Sequence, residues 1–136
     1  MPIVVVAKND ADYAKWVTAQ QSASDADMAA ASRDRSRDEL VARGENVYNT
    51  ACAACHQANG EGIPGAFPGL KGGKIVTGPI EAHLDIVLNG KPGTAMAAFA
   101  GQLNDIDLAA VITYERNAWG NNVGDLVQPS EIKASR

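Results

Sequence analysis

The run Tyr48-Asn49-Thr50-Ala51-Cys52-Ala53-Ala54-Cys55-His56 decides how the rest of this chain is read, because it holds both cysteines of the 136 residues. A Cys-x-x-Cys pair has three chemical readings: redox-active thiols, half of a zinc site, or the attachment point of a haem. The residue after the second Cys chooses among them, and here it is His56. On a helical turn, positions i, i+3 and i+4 share one face. Two sulfurs can then reach the vinyl groups of one porphyrin while the imidazole lies beneath its iron. A zinc site would need further ligands, yet the one other histidine is His83 and there is no third cysteine. Thioredoxin-like thiols would need a βαβ context, and one strand-like run is all the chain offers. The zinc and dithiol readings remain as alternatives.

Composition agrees with a domain whose interior is completed by something other than side chains. There are seven aromatic residues, whereas seven of the 13 glycines lie within residues 59–78. A Gly-rich stretch buries little side-chain area. The 46% hydrophobic and 21% charged content fits one compact domain with room for an arm. No apolar run, residues 3–7 included, approaches the ~20 residues that span a bilayer. A net charge of -4 without a Lys/Arg block argues against nucleic acid or an anionic membrane surface as partner. No secretory signal is visible at Met1, so the expectation is either a mature fragment or export that depends on other segments.

Working outward from the motif, Leu40, Val41, Gly44, Val47 and Tyr48 recur at helical spacing and deliver a helix into Cys52. Residues 59–77 read as a long Gly/Pro-rich loop, and loops of that length in small domains are usually functional. Pro79 and Glu81 signal a helix start and Gly90 its stop. Asn104 caps a final helix carrying Ile106, Leu108, Val111, Ile112 and Tyr114. Residues 1–21 read as a short strand over residues 1–7 plus a helix with a Tyr13, Trp16, Val17 stripe. Residues 22–37, rich in Ala, Ser, Asp and Arg, read as a linker with transient helicity. The domain proper is 38–122, and 123–136 reads as a tail. The expected fold class is all-α.

A haem iron held by His56 on one side raises the question of the other. The candidates are Met1, Met28, Met96 and His83. Met1 and Met28 fall in the strand-like start and the linker, and His83 reads as a surface residue. Met96 follows Lys91-Pro92-Gly93-Thr94-Ala95, a loop able to approach a flat ring, so His56 and Met96 are the expected axial pair.

These residues resemble class I cytochromes c. The resemblance runs from Gly44-x-x-x-Tyr48 through Cys52-Ala53-Ala54-Cys55-His56 and the late Met96 to the closing helix with Val111 and Tyr114. A finer likeness lies in Gly60-Glu61-Gly62-Ile63-Pro64-Gly65-Ala66-Phe67-Pro68-Gly69-Leu70 and in His83-Leu84-Asp85-Ile86-Val87-Leu88-Asn89-Gly90-Lys91-Pro92-Gly93-Thr94-Ala95-Met96. These stretches look like the cytochrome c domain fused to subunit II of caa-type cytochrome c oxidases. Met1-Pro2-Ile3-Val4-Val5 is similar to the strand that follows the dinuclear copper ligands there.

The resemblance implies the class I fold around one covalent haem c, with an N-terminal extension left from the copper domain. In that fold the first and last helices cross closely at Gly44, and the Pro64 carbonyl accepts from His56. The expected haem pocket is Pro64, Phe67, Pro68, Leu70, Leu84, Val87 and Phe99.

The expected role is that of an electron carrier and not of the oxygen-reducing catalyst. Electrons would come from a donor cytochrome or upstream respiratory complex and pass to the copper centre of a proton-translocating oxidase. The setting would be the periplasm or outer face of the cytoplasmic membrane. Other expectations are a diffusible cytochrome, or a gas sensor or peroxidase with a labile sixth ligand. Lys71, Lys74 and Lys91 are expected near the exposed haem edge.

Overall fold

The computed structural model describes residues 9–136, with the backbone alone over residues 23–32. The strand expected over residues 1–7, and Met1 within it, lie outside the described residues. The chain divides into two units that meet between Arg33 and Asp34. Among the described residues there are helices and loops but no strand, and the one bridge pairs Ile63 with Phe67.

The first unit contains helix α1, Asp10–Ser32, capped by Asn9, whose side chain accepts the Asp12 N–H at 2.9 Å. The helix continues through the stretch expected to be a linker. Its alanines carry helical propensity that needs no apolar face. Tyr13 and Trp16 stack with ring centroids 5.9 Å apart but stay exposed, so the expected stripe does not build a core.

The second unit is assembled on helices α2 (Arg37–Ala51) and α6 (Asp105–Asn117), which pack against each other more extensively than any other pair. Ser36 and Glu39 form a capping box at the start of α2. Asn104 caps α6 by accepting the Asp107 N–H at 2.9 Å. The crossing is close because Gly44 has no side chain: a Cβ there would lie 2.1 Å from the Ala110 carbonyl oxygen and 2.6 Å from Tyr114 Cβ. Tyr48, Tyr114 and Trp119 close over the crossing, with ring centroids 4.8 to 5.6 Å apart. Edge and tilted contacts of this kind add to the burial of the rings themselves.

Short helices complete the unit: α3 (Ala53–His56), α4 (Lys74–Thr77), α5 (Ile80–Asn89) and α7 (Pro129–Ala134). Helix α4 falls inside what was expected to be loop. The segment expected to be a tail instead folds back. Val127 and Ile132 are buried, the Val127 N–H donates to Thr113 Oγ1 at 3.0 Å, and α7 packs on α6. Gln128 joins this segment to the start of α2, accepting the Arg35 N–H at 2.8 Å and donating to the Arg35 carbonyl. The signals for α7 were Pro129 at the first helical position and Glu131 three residues after Gln128.

Arg116, 2% exposed, fastens α4 and the chain after α6. Its guanidinium donates to the carbonyls of Val76 (2.7 Å) and Gly78 (2.8 Å) and to Asp125 (2.6 Å). A planar fork with several fixed donors suits this three-way connection, and lysine would not replace it.

Two predictions follow from the α2–α6 pairing. Gly44→Ala should lower the unfolding free energy of the haem-loaded protein by about 1–3 kcal/mol, since the intruding Cβ meets backbone that cannot yield. An unchanged urea midpoint would contradict the close crossing. The second concerns Tyr48, which is fully buried and donates through its hydroxyl to the Gln57 carbonyl at 2.6 Å. Burial first, then Glu115, Cys52 and Tyr114, push its phenol above the ordinary value of 10.0. The folded state therefore keeps this proton where the unfolded chain releases it. The corresponding stability is present in full below about pH 10 and declines as pH rises further. Tyr48→Phe should cost about 1 kcal/mol at neutral pH and make the alkaline decline shallower, read from denaturation curves across that range.

Candidate functional site

Helix α2 runs almost without a break into the motif, because Cys52 closes α2 and opens α3 in one residue. The N–H groups of Cys55 and His56 both bond to the Cys52 carbonyl, at 3.1 and 3.0 Å. This tight turn places Cys52, Cys55 and His56 on the wall of one cavity of about 490 Å³. That volume lies within the range of about 300–1,000 Å³ usual for cofactor sites. The wall is mostly apolar and draws on chain far apart in sequence, including Phe67, Leu70, Val87, Phe99 and Val111.

The ring of His56 is held by the main chain. Its Nδ1 lies 2.8 Å from the Pro68 carbonyl, and since a carbonyl only accepts, Nδ1 carries the hydrogen. Nε2 is left with its lone pair, the form a metal ligand requires. The expected partner was Pro64, and the structure corrects this to Pro68. Pro64 does not line the cavity. It sits in the tight turn closed by the pair of hydrogen bonds between Ile63 and Phe67, each 2.8 Å. Gly62 makes the Pro68 contact possible. At φ +69° it turns the chain so closely that a Cβ would lie 2.5 Å from the Phe67 carbonyl oxygen and 2.6 Å from that of Pro68.

Met96 reaches the same cavity from the loop after α5. Gly90 ends that helix at φ +72°, where a Cβ would meet the backbone of Met96, Ala97 and Ala98 within 2.8 Å. The loop is pinned to the helix end by Lys91 N–H to Met96 carbonyl (3.0 Å), Phe99 N–H to Val87 carbonyl (3.0 Å) and Ala100 N–H to Leu88 carbonyl (3.2 Å). Thr94 Oγ1 accepts the Met96 N–H at 3.2 Å.

Of the residues expected in the pocket, Phe67, Pro68, Leu70, Val87 and Phe99 line the cavity. Leu84 does not; it faces a shallow groove with Glu81, Leu88 and Ser135. Lys74 and Lys91 border the cavity, whereas Lys71 pairs with Glu61 at 3.0 Å away from it.

The largest correction concerns His83. It is 2% exposed rather than superficial, lines the cavity, and its Nε2 lies 2.8 Å from Oε2 of Glu115, itself 3% exposed. Glu115 also lines the cavity, on the same side as Cys52, and its carboxylate helps to raise that thiol. The spacing held the signal: His83 stands four residues before Val87 on α5, and Glu115 four after Val111 on α6. Each is one turn along the same inward face.

This donor set suits a haem and no other reading as well. Burial, followed by the Glu115 carboxylate, pushes the Cys52 thiol up, opposite to the lowered thiol of a redox dithiol. Among the described residues no three His, Cys, Asp or Glu side chains gather as a metal would need. An apolar cavity with two thiols and one oriented imidazole at its wall matches a porphyrin held by two thioethers.

Comparison with known proteins agrees. Residues 39–114 match the family model described as "Cytochrome C oxidase, cbb3-type, subunit III". Cytochrome c-552 of Thermus thermophilus is 39% identical over 94 residues, 59% of this chain and 70% of that protein. Cytochrome c6 of Leptolyngbya boryana is 40% identical over 76 residues, 54% of this chain and 87% of that protein. The cytochrome c subunit of the quinone alcohol dehydrogenase of Gluconobacter oxydans is 33% identical over 103 residues, 68% of this chain. The match spans only 22% of that subunit's length. A helical fold closed by Gly44, a haem-sized cavity with Cys52, Cys55 and His56 at its wall, and these likenesses converge: the chain belongs to the cytochrome c family and is an electron-transfer protein with one covalent haem c.

Proposed function

We propose that this chain is the electron-relay domain of a cytochrome c oxidase, with haem c joined to Cys52 and Cys55 and its iron held between His56 and Met96. The haem supplies a one-electron couple between ferric and ferrous iron. The protein's part is to orient it, exclude water and set its potential, without a bond-making side chain. The arrival of His56 and Met96 at one cavity from segments forty residues apart, each fixed by backbone hydrogen bonds, carries this reading. His56 Nδ1–H donating to Pro68 fixes the ring and raises the basicity of Nε2. Phe67, Pro68, Leu70, Val87 and Phe99 form the apolar wall, and a thioether ligand in such a wall raises the potential.

The electron source in this reading is a donor cytochrome or an upstream respiratory complex, and the recipient is the copper centre of oxidase subunit II. The sequence likeness to the caa-type domain supports that assignment, as does the chain's resemblance at residues 1–5 to the strand after the copper ligands. The working place would be the periplasm or the outer face of the cytoplasmic membrane. Among the described residues no helix is long and apolar enough to cross a membrane. Lys74 and Lys91 at the cavity border give an otherwise acidic chain a less acidic docking edge.

The visible spectrum of the haem-loaded protein tests the ligand pair. Wild type should be low-spin, show the weak far-red sulfur-to-iron band and ignore carbon monoxide, while Met96→Ala should bind the gas. Carbon monoxide binding by wild type would move the reading to a sensor or peroxidase. Rapid mixing of the reduced protein with a copper-loaded subunit II domain should give electron transfer only weakly slowed by salt. No transfer would remove the oxidase assignment and leave a diffusible carrier.

A further inference from the structure

The buried His83–Glu115 pair is not among the residues assigned above to hold the haem, yet it occupies the wall of the same cavity. Placing two ionisable groups there costs solvation that apolar residues would not. With Glu115 as the carboxylate, His83 Nε2–H donates to it at 2.8 Å, and Nδ1 keeps a lone pair. That Nδ1 is buried and has no hydrogen-bond partner. A buried polar atom left unpaired is rare and calls for a reason.

The geometry is asymmetric: Nε2 of His83 is engaged by the Glu115 carboxylate, while Nδ1 on the other side of the same ring meets no partner.

Resting on the carrier reading above, we propose that the His83–Glu115 pair is a proton-binding site coupled to the haem's redox state. One proton passes from water to His83 Nδ1 as one electron from the donor protein reaches the ferric haem; oxidation returns both. Charge balances at each step. The ferric haem, with its extra positive charge, is matched by neutral His83 beside the Glu115 carboxylate, and the ferrous haem by the imidazolium–carboxylate pair. No ligand of the iron changes.

The other charged or titratable groups around the pair are Cys52 and Tyr48 from α2, Lys74 on α4, Lys91 in the Met96 loop, Tyr114 and Arg116 on α6, and Glu81 and Asp85 on α5 itself. Cys52 no longer ionises once it is a thioether. Arg116 is directed away, to Val76, Gly78 and Asp125. Imidazole is the side chain whose ordinary proton exchange falls between about pH 5 and 8.

The test is the midpoint potential of the haem-loaded protein measured spectroelectrochemically from about pH 5 to 9. In wild type the potential should fall as pH rises, by up to about 59 mV per tenfold drop in proton concentration, the one-electron conversion. His83→Gln, which keeps a donor toward Glu115 but cannot take the proton, should flatten the slope, and Glu115→Gln should raise the potential at high pH. An unchanged slope in His83→Gln would assign the proton to a haem propionate and overturn the proposal. In parallel, the His83 ring signals of wild type, followed by nuclear magnetic resonance, should show protonation at higher pH in the ferrous than in the ferric protein. Coincident titrations would overturn it even where the variants fail to fold. The spectrum recorded at each pH separates this from the carrier reading, because loss of the sulfur-to-iron band reports on Met96 and the slope on His83.

Discussion

The approach of α2 to α6 is the contact on which the rest of the structure depends. Gly44 and the Ala110 backbone meet where no side chain fits between them. That single clearance decides two things at once. It fixes the end of α2, which becomes Cys52 and begins the motif turn, and it fixes the inward face of α6, which supplies Val111 and Glu115 to the cavity. The two sides of the site are therefore positioned by one packing event rather than by separate loops. Since protein interiors deform little, an error at the crossing would be passed to the cavity without attenuation.

Around that rigid pair, the longer connections are held mainly by main-chain hydrogen bonds and by one cation. The Met96 loop is stitched to the end of α5 through three backbone bonds, and the 60–70 loop folds on itself through Gly62. Arg116 then ties α4 and the chain at Asp125 to α6. Few large side chains take part in any of this, which agrees with a domain in which the prosthetic group supplies much of the apolar interior. The polar exception in the wall, His83 with Glu115, is conspicuous for that reason.

Much of this was legible in the chain itself. The motif helix, the Pro79 start and Gly90 stop of α5 and the Asn104 cap follow from local rules, the tight crossing at Gly44 follows from the family resemblance, and the structure shows each of them. Less legible were features in which a charged or polar residue sits on an inward face. His83, Glu115 and Arg116 look like surface residues by type, and only their spacing from Val87, Val111 and Ile112 tells otherwise. Residues 123–136 look like a tail because they are apolar-poor, yet Val127 and Ile132 are enough to dock them. The choice between Pro64 and Pro68 depended on how a glycine-rich loop folds back, and composition does not encode that path.

The bond from His56 to the Pro68 carbonyl has an evolutionary consequence. Its acceptor belongs to the main chain, so no change of side chain can delete it, and only a change in the course of the loop can weaken it. The electronic character of the ligand is thus shielded from most point mutations at position 68 itself. The vulnerable positions are elsewhere, at Gly62 and Gly69, where the two passes of the loop lie backbone against backbone. Drift in the wall-lining residues could then adjust the potential of descendants in small steps while the ligand's tautomer is inherited unchanged.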